Sequence, residues 1–215
     1  MVKNGDFILI EYTGYDAKGS VFDSTKGDIG KNMHGKDGPI LIIYGKDLLV
    51  PGMQEALTTM HKGDSKRLQL PFEKAFGKRR RELVKTMPLS EFYNSEINPV
   101  PGIVVNLDTP QGRLMGVVKS VNSGRVLVDF NHPLAEQNVS YDLVLSDVIE
   151  KTQEKVTVLL TDLQLKGTGK VEKDTVTIEL SKKNENLAQK KSYVEMLIKS
   201  LFPEELKTVT INEVD

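Results

Sequence analysis

The chain of 215 residues contains no cysteine and no tryptophan. Without cysteine, disulfides, thiolate catalysis and zinc sites built on cysteine are excluded. Histidine is scarce as well: His34, His61 and His132 stand apart, and no HxxxH or HExxH spacing joins them. We therefore reject a metal site built on these histidines, and we expect no cofactor.

A charge imbalance and a long apolar run are also missing. The chain has 29 Lys+Arg against 30 Asp+Glu, a formal net charge of -1, so nothing pulls it as a whole toward nucleic acid or an anionic membrane. No stretch approaches the ~18 apolar residues that span a bilayer, and the first residues lack the apolar core of a secretion signal. We expect a cytoplasmic protein without membrane contact.

A short amphipathic helix is the clearest local element in the sequence. After Pro51 and Gly52, apolar residues recur at the helical spacing i, i+3, i+4 and i+7: Met53, Ala56, Leu57 and Met60. Lys62 and Gly63 then follow, a cation and a glycine typical of the end of a helix. A helix this short is marginal alone in water, so its apolar stripe must be buried against a sheet.

Alternating apolar residues predict strands on either side of this helix. Residues 7–12 run into a turn at Thr13-Gly14, residues 66–70 end at Pro71, and residues 141–149 form an apolar strand that we return to the same sheet. Residues 25–39 are rich in glycine and lysine with little to bury. For that stretch we expect a mobile surface loop.

The composition changes after Gly77, where a second module begins. Residues 78–81 are all basic, Ser90 is a candidate cap for a short helix, and residues 103–107, 114–121 and 125–130 predict a small β-meander. Beyond residue 150 a third unit of about 60 residues follows, marginal in size for independent stability. Its residues 156–160 alternate like a strand, residues 187–201 carry a helical apolar stripe, and residues 209–214 alternate again.

Several motifs, in order and at compatible spacing, resemble the FKBP-type peptidyl-prolyl isomerases. They are Tyr12-Thr13-Gly14, Phe22-Asp23-Ser24, Leu49-Val50-Pro51-Gly52-Met53, Gly63-Asp64 and Ala75-Phe76-Gly77. Residues 128–135 (VDFNHPLA) resemble the motif that closes the insert-in-flap module of the SlyD-like branch. The part after residue 150 resembles, by layout alone, the C-terminal extension of the long archaeal-type members.

The resemblance implies an α+β fold: an FKBP-type antiparallel sheet wrapped on a short helix, with an inserted small β-rich domain and an α+β C-terminal domain. The implied boundaries are residues 1–77 and 138–150 for the isomerase domain, 78–137 for the insert-in-flap chaperone domain and 151–215 for the C-terminal domain. An apolar helix stripe that a few strands only partly cover favours dimerisation through residues 151–215.

The implied activity is cis-trans isomerisation of the X-Pro bond in a shallow apolar pocket. Carried over motif by motif, the pocket consists of Tyr12, Phe22, Asp23, Ile40, Leu49, Val50, Met53, Phe76 and Tyr141. Tyr12 is expected to donate a hydrogen bond to Asp23. Met53, Phe76 and Ile40 replace a tryptophan, a tyrosine and an aromatic residue of well-known members, which implies a softer pocket with weaker macrolide binding.

The insert is expected to bind extended, unfolded chain and to hand it to the pocket. Its candidate apolar surface consists of Met87, Leu89, Phe92, Tyr93, Ile97, Leu114, Met115 and Val117. The expected partners are proline-containing unfolded or nascent polypeptides. Methionine at such a surface suits varied partners because its side chain adapts its shape.

Two alternatives remain beside this interpretation. The chain could be a holdase whose isomerase activity is vestigial, since the Phe76 position lacks a hydroxyl. The basic residues Lys78 to Arg81 could contact RNA or the ribosome, although a solvated linker at a domain junction is favoured. His132, inside the Asn-His-Pro motif, is expected to make a structural hydrogen bond.

Overall fold

The structure, a computed structural model, describes residues 1–46, 49–109 and 112–215, and of residues 107–109, 112 and 113 it describes the backbone alone. The chain combines antiparallel sheets with a few helices, which confirms the predicted α+β class. It divides into two compact units: Met1–Gln69 with Ser140–Asp215, here called the first unit, and Leu70–Val139, the second unit.

The strands in chain order are β1 (Phe7–Tyr15), β2 (Val21–Ser24), β3 (Ile40–Ile43), β4 (Ser65–Leu70), β5 (Val84–Pro88), β6 (Val104–Thr109), β7 (Gly112–Asn122), β8 (Arg125–Asp129), β9 (Val139–Ile149), β10 (Gly167–Glu172), β11 (Thr175–Ser181) and β12 (Thr208–Val214). The α-helices are α1 (Gly27–His34), α2 (Pro51–Leu57), α3 (Leu89–Asn94), α4 (Thr152–Asp162) and α5 (Leu187–Leu201).

The first unit is built on a five-stranded sheet with the order β2-β1-β9-β4, in which β3 also pairs with β1. β1 and β9 are antiparallel from Phe7 opposite Ile149 to Tyr15 opposite Ser140. The predicted return of residues 141–149 to this sheet is confirmed. The central position of β1 matters for function, because it brings β2, β3 and β9 to the same strand.

Both faces of β1 are covered, since successive side chains of a strand point to opposite faces. Ile8, Ile10 and Tyr12 are buried on one face, and Met53 and Leu57 of α2 are buried too. The apolar residues on the other face of β1 belong to the hydrophobic cluster described in the next paragraph. A strand covered on both sides is held rigidly, which suits a strand that carries site residues.

The C-terminal segment shares its core with the outer face of this sheet. The cluster joins Phe7 of β1 and Leu41 of β3 to Leu160 of α4, Ile198 of α5 and other buried residues of the segment. The rings of Phe7 and Phe202 lie 5.4 Å apart between centroids. Residues 151–215 therefore share a core with β1 and β3 and have no separate core. Their small size had already suggested this dependence on the rest of the chain. The three-domain boundaries stay a prediction of the sequence.

Within the C-terminal segment, β10, β11 and β12 form a three-stranded sheet. β11 and β12 are parallel, and α5 is the crossover between them. The helix over residues 187–201 and the last strand are confirmed. Residues 156–160, predicted as a strand, instead lie in α4, because Val156, Leu159 and Leu160 also fit helical spacing and are buried on one helix face.

The second unit is a four-stranded sheet with the order β5-β8-β7-β6. The predicted meander of three strands is confirmed, and β5 adds a strand that the sequence did not indicate. The core consists of Phe92 from α3 with Val105, Val118, Val126 and Val128 from the sheet. The expected cap at Ser90 is wrong: α3 begins at Leu89, and its N-cap residue is Pro88, which offers no side-chain hydrogen bond.

A cluster of charged side chains connects the first and last segments of the second unit. Asp129, only 6% exposed, is paired with Arg79, and Lys119 lies 3.8 Å from its carboxylate. Although burial, the largest influence, acts to raise it, hydrogen bonds from Asn131 and the two cations hold the pKa of Asp129 below its usual range. Arg79, one of the four consecutive basic residues, thus has a structural partner.

Candidate functional site

Tyr12 and Asp23 form the polar centre of the candidate site. The Tyr12 hydroxyl donates a hydrogen bond to Oδ2 of Asp23 at 2.8 Å, so the predicted contact is present. Tyr12 lies on β1 and Asp23 on β2, and Thr13 pairs with Ser24 in the register that joins the two strands. The backbone N–H of Thr25 donates to the Tyr12 carbonyl at 3.0 Å. The register places Asp23 opposite Gly14, on the same face of the sheet as Tyr12.

Two further aromatic rings extend this centre. Tyr141 lies 6.0 Å from Tyr12 and 5.7 Å from Phe22 between ring centroids, in edge-to-face arrangements of 71° and 84°. Gly14 makes the arrangement possible, because a Cβ at that position would lie 2.7 Å from the Phe22 ring and 2.8 Å from the Tyr141 ring. Four predicted site residues are therefore brought together: Tyr12, Phe22, Asp23 and Tyr141.

Burial shifts both phenols of this centre further toward their neutral form. The pKa of Tyr12 is raised above its usual range by burial first, and further by the hydrogen bond to Asp23 and its negative charge. The pKa of Tyr141 is raised by burial and by the charge of Asp23. Both hydroxyls remain protonated at neutral pH, and both can donate hydrogen bonds.

The predicted residues around α2 lie in the first unit as well. Pro51 occupies the first turn of α2 and Val50 its N-cap position, while the Gln54 side chain donates to the Leu49 carbonyl at 2.8 Å. Met53 is only 2% exposed, and Leu49 and Val50 are half-buried. Ile40 of β3 is half-buried and pairs with Ile10 of β1. Their part in the pocket stays a prediction.

His34 is the site residue that the sequence analysis missed. Its Nε2 lies 2.9 Å from Oδ1 of Asp23 and 3.3 Å from the Tyr12 hydroxyl. Residues 25–39 were expected to be a loop, but the structure places His34 at the end of α1. The helix escaped detection because only Gly30 of α1 is buried, so no apolar periodicity marks it.

Phe76 lies in the second unit, where it stacks on His132. The ring centroids are 4.0 Å apart and the planes are 2° from parallel. The backbone N–H of Leu134 donates to Nδ1 of His132 at 3.1 Å, which confirms the structural hydrogen bond expected for this histidine. The part of Phe76 in the isomerase pocket stays a prediction.

The predicted apolar surface of the second unit needs one correction. Phe92 is fully buried at the centre of the core, because a unit of this size needs its largest apolar side chain inside. Met87, Leu89 and Ile97 are partly buried against the same core. Tyr93 is exposed.

An apolar strip remains on the solvent face of β6 and β7. Val104 pairs with Val117 across the two strands, and Met115, two residues before Val117, points to the same face. Val104 and Met115 are 56% and 60% exposed. Val105 and Val118, the neighbours in sequence, point to the core instead. Leu114 is exposed but lies on the core face of β7, near its end.

The described residues offer neither a cluster of metal-binding side chains nor a membrane-spanning helix. Residues 1–46, 49–109 and 112–215 contain no group of three or more histidine, aspartate or glutamate side chains placed to hold a metal ion. In the same ranges, no helix is both long and apolar enough to cross a membrane.

Comparison with known proteins supplies two family matches. Residues 1–92 match the family described as FKBP-type peptidyl-prolyl cis-trans isomerase. Residues 85–134 match the family described as the IF domain of FKBP26. The two matches fall on the segments that hold the Tyr12–Asp23 centre and the second-unit sheet, respectively.

Individual relatives point the same way. The chain is 34% identical over 110 residues to a probable FKBP-type 16 kDa peptidyl-prolyl cis-trans isomerase of Pseudomonas fluorescens, covering 51% of this chain and 73% of the relative. It is 27% identical over 153 residues to the short-type peptidyl-prolyl cis-trans isomerase of Methanocaldococcus jannaschii, covering 69% and 94%. It is 29% identical over 149 residues to the isomerase SlyD of Aeromonas hydrophila, covering 69% and 65%.

Proposed function

Because the chain belongs to the FKBP-type peptidyl-prolyl cis-trans isomerases and is an enzyme of that class, we propose that the X-Pro bond is twisted beside Tyr12, Phe22, Asp23 and Tyr141. The observation that carries this proposal is the joining of three aromatic rings to one oriented carboxylate. The pocket is further lined by Met53, Val50, Leu49 and Ile40.

Rotation about the X-Pro bond requires a binding pocket but no reactive group. Rotation about a peptide bond has a barrier of roughly 18–20 kcal/mol, and no bond is broken during it. Twisting removes the amide resonance, so the carbonyl is less polar in the transition state than in the planar ground state. A dry apolar wall of Phe22 and Tyr141 favours the twisted amide relative to water. This accelerates the reaction only as far as the pocket binds the transition state more tightly than the substrate.

Asp23 is the one acidic side chain among the described residues assigned to the pocket. Loss of resonance leaves the carbonyl carbon short of electrons, and a carboxylate beside it stabilises that deficit. The Tyr12 hydroxyl orients the carboxylate through its bond of 2.8 Å. Since the Tyr12 phenol stays protonated, this orientation persists across neutral pH.

The second unit acts as a chaperone module in this proposal. The apolar strip of Val104, Met115 and Val117, together with the exposed Tyr93, gives an extended chain something to bind. Exposed apolar side chains that form a contiguous strip mark interaction surfaces. A chain held by one module meets the pocket of the other at a raised effective concentration. The clients are unfolded or nascent polypeptides that contain proline.

A holdase with weak isomerase activity is the second candidate function. It is favoured by the replacement of a tyrosine by Phe76, which stacks on His132. The intact Tyr12–Asp23 pair supports retained catalysis instead. The two candidates differ in whether refolding is accelerated or merely protected from aggregation.

The test is the refolding of a protein whose slow step is proline isomerisation, with catalytic amounts of the wild type or of Asp23→Ala. We expect the wild type to accelerate refolding. The acceleration by Asp23→Ala should be about tenfold smaller, the usual scale for the loss of one oriented polar group. Refolding that neither protein accelerates, with aggregation still suppressed, would leave the holdase as the function.

Self-association through the C-terminal segment is a separate proposal. Tyr193 and Met196 of α5 are 48% and 57% exposed, and Tyr193 borders an apolar groove of about 210 Å³ lined also by Leu159 and Leu197. Sedimentation at tens of micromolar should show a dimer, which Tyr193→Ser with Met196→Ser should dissociate. A wild type that is purely monomeric rejects the proposal.

The cytoplasmic location stays a prediction.

A further inference from the structure

His34 completes a three-residue cluster around the pocket carboxylate. Oδ2 of Asp23 accepts from the Tyr12 hydroxyl at 2.8 Å, and Oδ1 lies 2.9 Å from Nε2 of His34. A carboxylate can only accept a hydrogen bond, so Nε2 carries the proton that points at Asp23. The side chains of His34 and Asp23 are 20% and 21% exposed. Each oxygen of Asp23 therefore has a donor, and the cluster is shielded from most of the solvent.

The docking of α1 places this imidazole. A Cβ on Gly30, in the middle of α1, would lie 2.4 Å from the Thr25 carbonyl oxygen, so the helix approaches the chain after β2 as closely as glycine allows. Thr25 is fully buried and bonds to the backbone of Tyr12 through its own N–H at 3.0 Å. Gly35 then ends the helix at φ 73° with its N–H on the Lys31 carbonyl. The helix that carries His34 is thus anchored to the strand that carries Tyr12.

The other charged groups of the surrounding elements have partners of their own. The pairs are Lys26 with Glu11 at 2.9 Å, Lys31 with Asp28 at 3.5 Å and Lys36 with Asp162 at 2.7 Å. Among the described groups at the cluster, the titratable ones besides His34 and Asp23 are the phenols of Tyr12 and Tyr141, whose pKa values are raised mainly by burial. Histidine, as a side-chain type, changes its charge near neutral pH.

We infer that His34 is a positioning residue of the isomerase site, which fixes the carboxylate of Asp23 and makes catalysis depend on the charge of the imidazole. A neutral ring donates to Asp23 and leaves its negative charge uncompensated. A protonated ring adds a positive charge at 2.9 Å and cancels part of the field that the carboxylate exerts on the twisting amide. Acidification therefore lowers activity. The inference rests on the role proposed for Asp23.

The experiment compares kcat/KM for a proline-containing peptide, in a protease-free assay, from about pH 8 to about pH 5. The wild type should lose about fivefold, the size expected for one charge added beside a partly exposed carboxylate. His34→Gln retains a side-chain N–H donor but cannot titrate, so its kcat/KM should not change between the two pH values. His61→Gln, at an exposed position outside the cluster, should follow the wild type.

Three outcomes would overturn the inference. The first is an acid loss that persists in His34→Gln, and the second is wild-type activity in His34→Ala, which removes one donor from Asp23. In the unmutated protein, an imidazole NMR signal of His34 that titrates apart from the activity would also overturn it. Asp23→Ala, measured in parallel, separates the failures: full activity in that variant rejects the proposed pocket itself, whereas a loss there with normal His34 variants rejects the present inference alone.

Discussion

Phe76 and His132 lie face to face, with ring centroids 4.0 Å apart and planes 2° from parallel. Nδ1 of His132 accepts a hydrogen bond from the Leu134 backbone, and a nitrogen that accepts has no proton of its own. Burial lowers the pKa of His132 below its usual value. The folded second unit therefore keeps this imidazole neutral.

The first prediction concerns acid stability. A histidine whose pKa is lower in the folded than in the unfolded chain makes the folded state bind fewer protons, so its stability is full above about pH 6.5 and falls as the pH decreases below that value. His132→Gln should lose less unfolding free energy than the wild type between about pH 7.5 and about pH 5. Denaturant unfolding at the two pH values measures this. His61→Gln, whose side chain is 71% exposed, is the control, and an equal acid loss in all three proteins would contradict the assignment.

The second prediction concerns Gly14, where a Cβ would lie within 2.8 Å of both the Phe22 and the Tyr141 rings. Gly14→Ala should displace these rings, lower kcat/KM by about tenfold or more and cost about 1–3 kcal/mol of stability. Thr13→Ser, on the opposite face of the same strand, is the matched control. Isomerase kinetics beside thermal unfolding measures both effects. An alanine variant with normal kinetics would show that the ring arrangement is unimportant for catalysis.

The third prediction uses two neighbouring aromatic residues with opposite environments. Phe92 is fully buried and Tyr93 is 58% exposed. Phe92→Ala should destabilise the second unit by about 3–5 kcal/mol. Tyr93→Ala should leave stability nearly unchanged and weaken binding of a permanently unfolded polypeptide. Denaturant unfolding and fluorescence anisotropy give the two readouts. Unfolded-chain binding that survives both Tyr93→Ala and Met115→Ser would place the binding surface elsewhere.

The fourth prediction separates the roles within the basic residues 78–81. Arg79 is paired with the buried Asp129 and is itself 40% exposed, so Arg79→Ala should cost about 1–2 kcal/mol of stability after allowance for solvent screening. Arg81→Ala should stay within about 0.5 kcal/mol. Neither substitution should change affinity for RNA, measured from low to physiological salt. A steep salt-dependent affinity that Arg81→Ala reduces would revive the RNA-binding interpretation.

Sequence patterns predicted the elements whose faces are unambiguous. The alternation of residues 7–12 and 141–149 gave two paired strands, and the stripe in residues 187–201 gave α5. Residues 156–160 fit both the strand period and the helix period. They form a helix because their apolar side chains pack in the core shared with Phe7. The local sequence pattern cannot predict this choice between strand and helix, because the choice depends on residues far away in the chain.

The site was predictable only where a motif carried it. Tyr12, Phe22 and Asp23 were found through family resemblance, and their contacts exist. His34 had no such motif, and α1 has no apolar stripe because its docking uses the bare backbone of Gly30. For Phe92 and Tyr93, adjacent and both aromatic, composition cannot tell which ring faces the core. That choice depends on the direction in which α3 packs.

The shared core of the first unit also sets an order of events during synthesis. Phe7 leaves the ribosome well before Phe202, the ring that packs against it, is made. The second unit needs no such wait, since its core residues lie between Phe92 and Val128. A nascent chain can therefore complete its second unit while the outer face of the first unit's sheet is still bare. The protein thus carries an unprotected apolar surface of its own during synthesis, until the residues that cover it have been made.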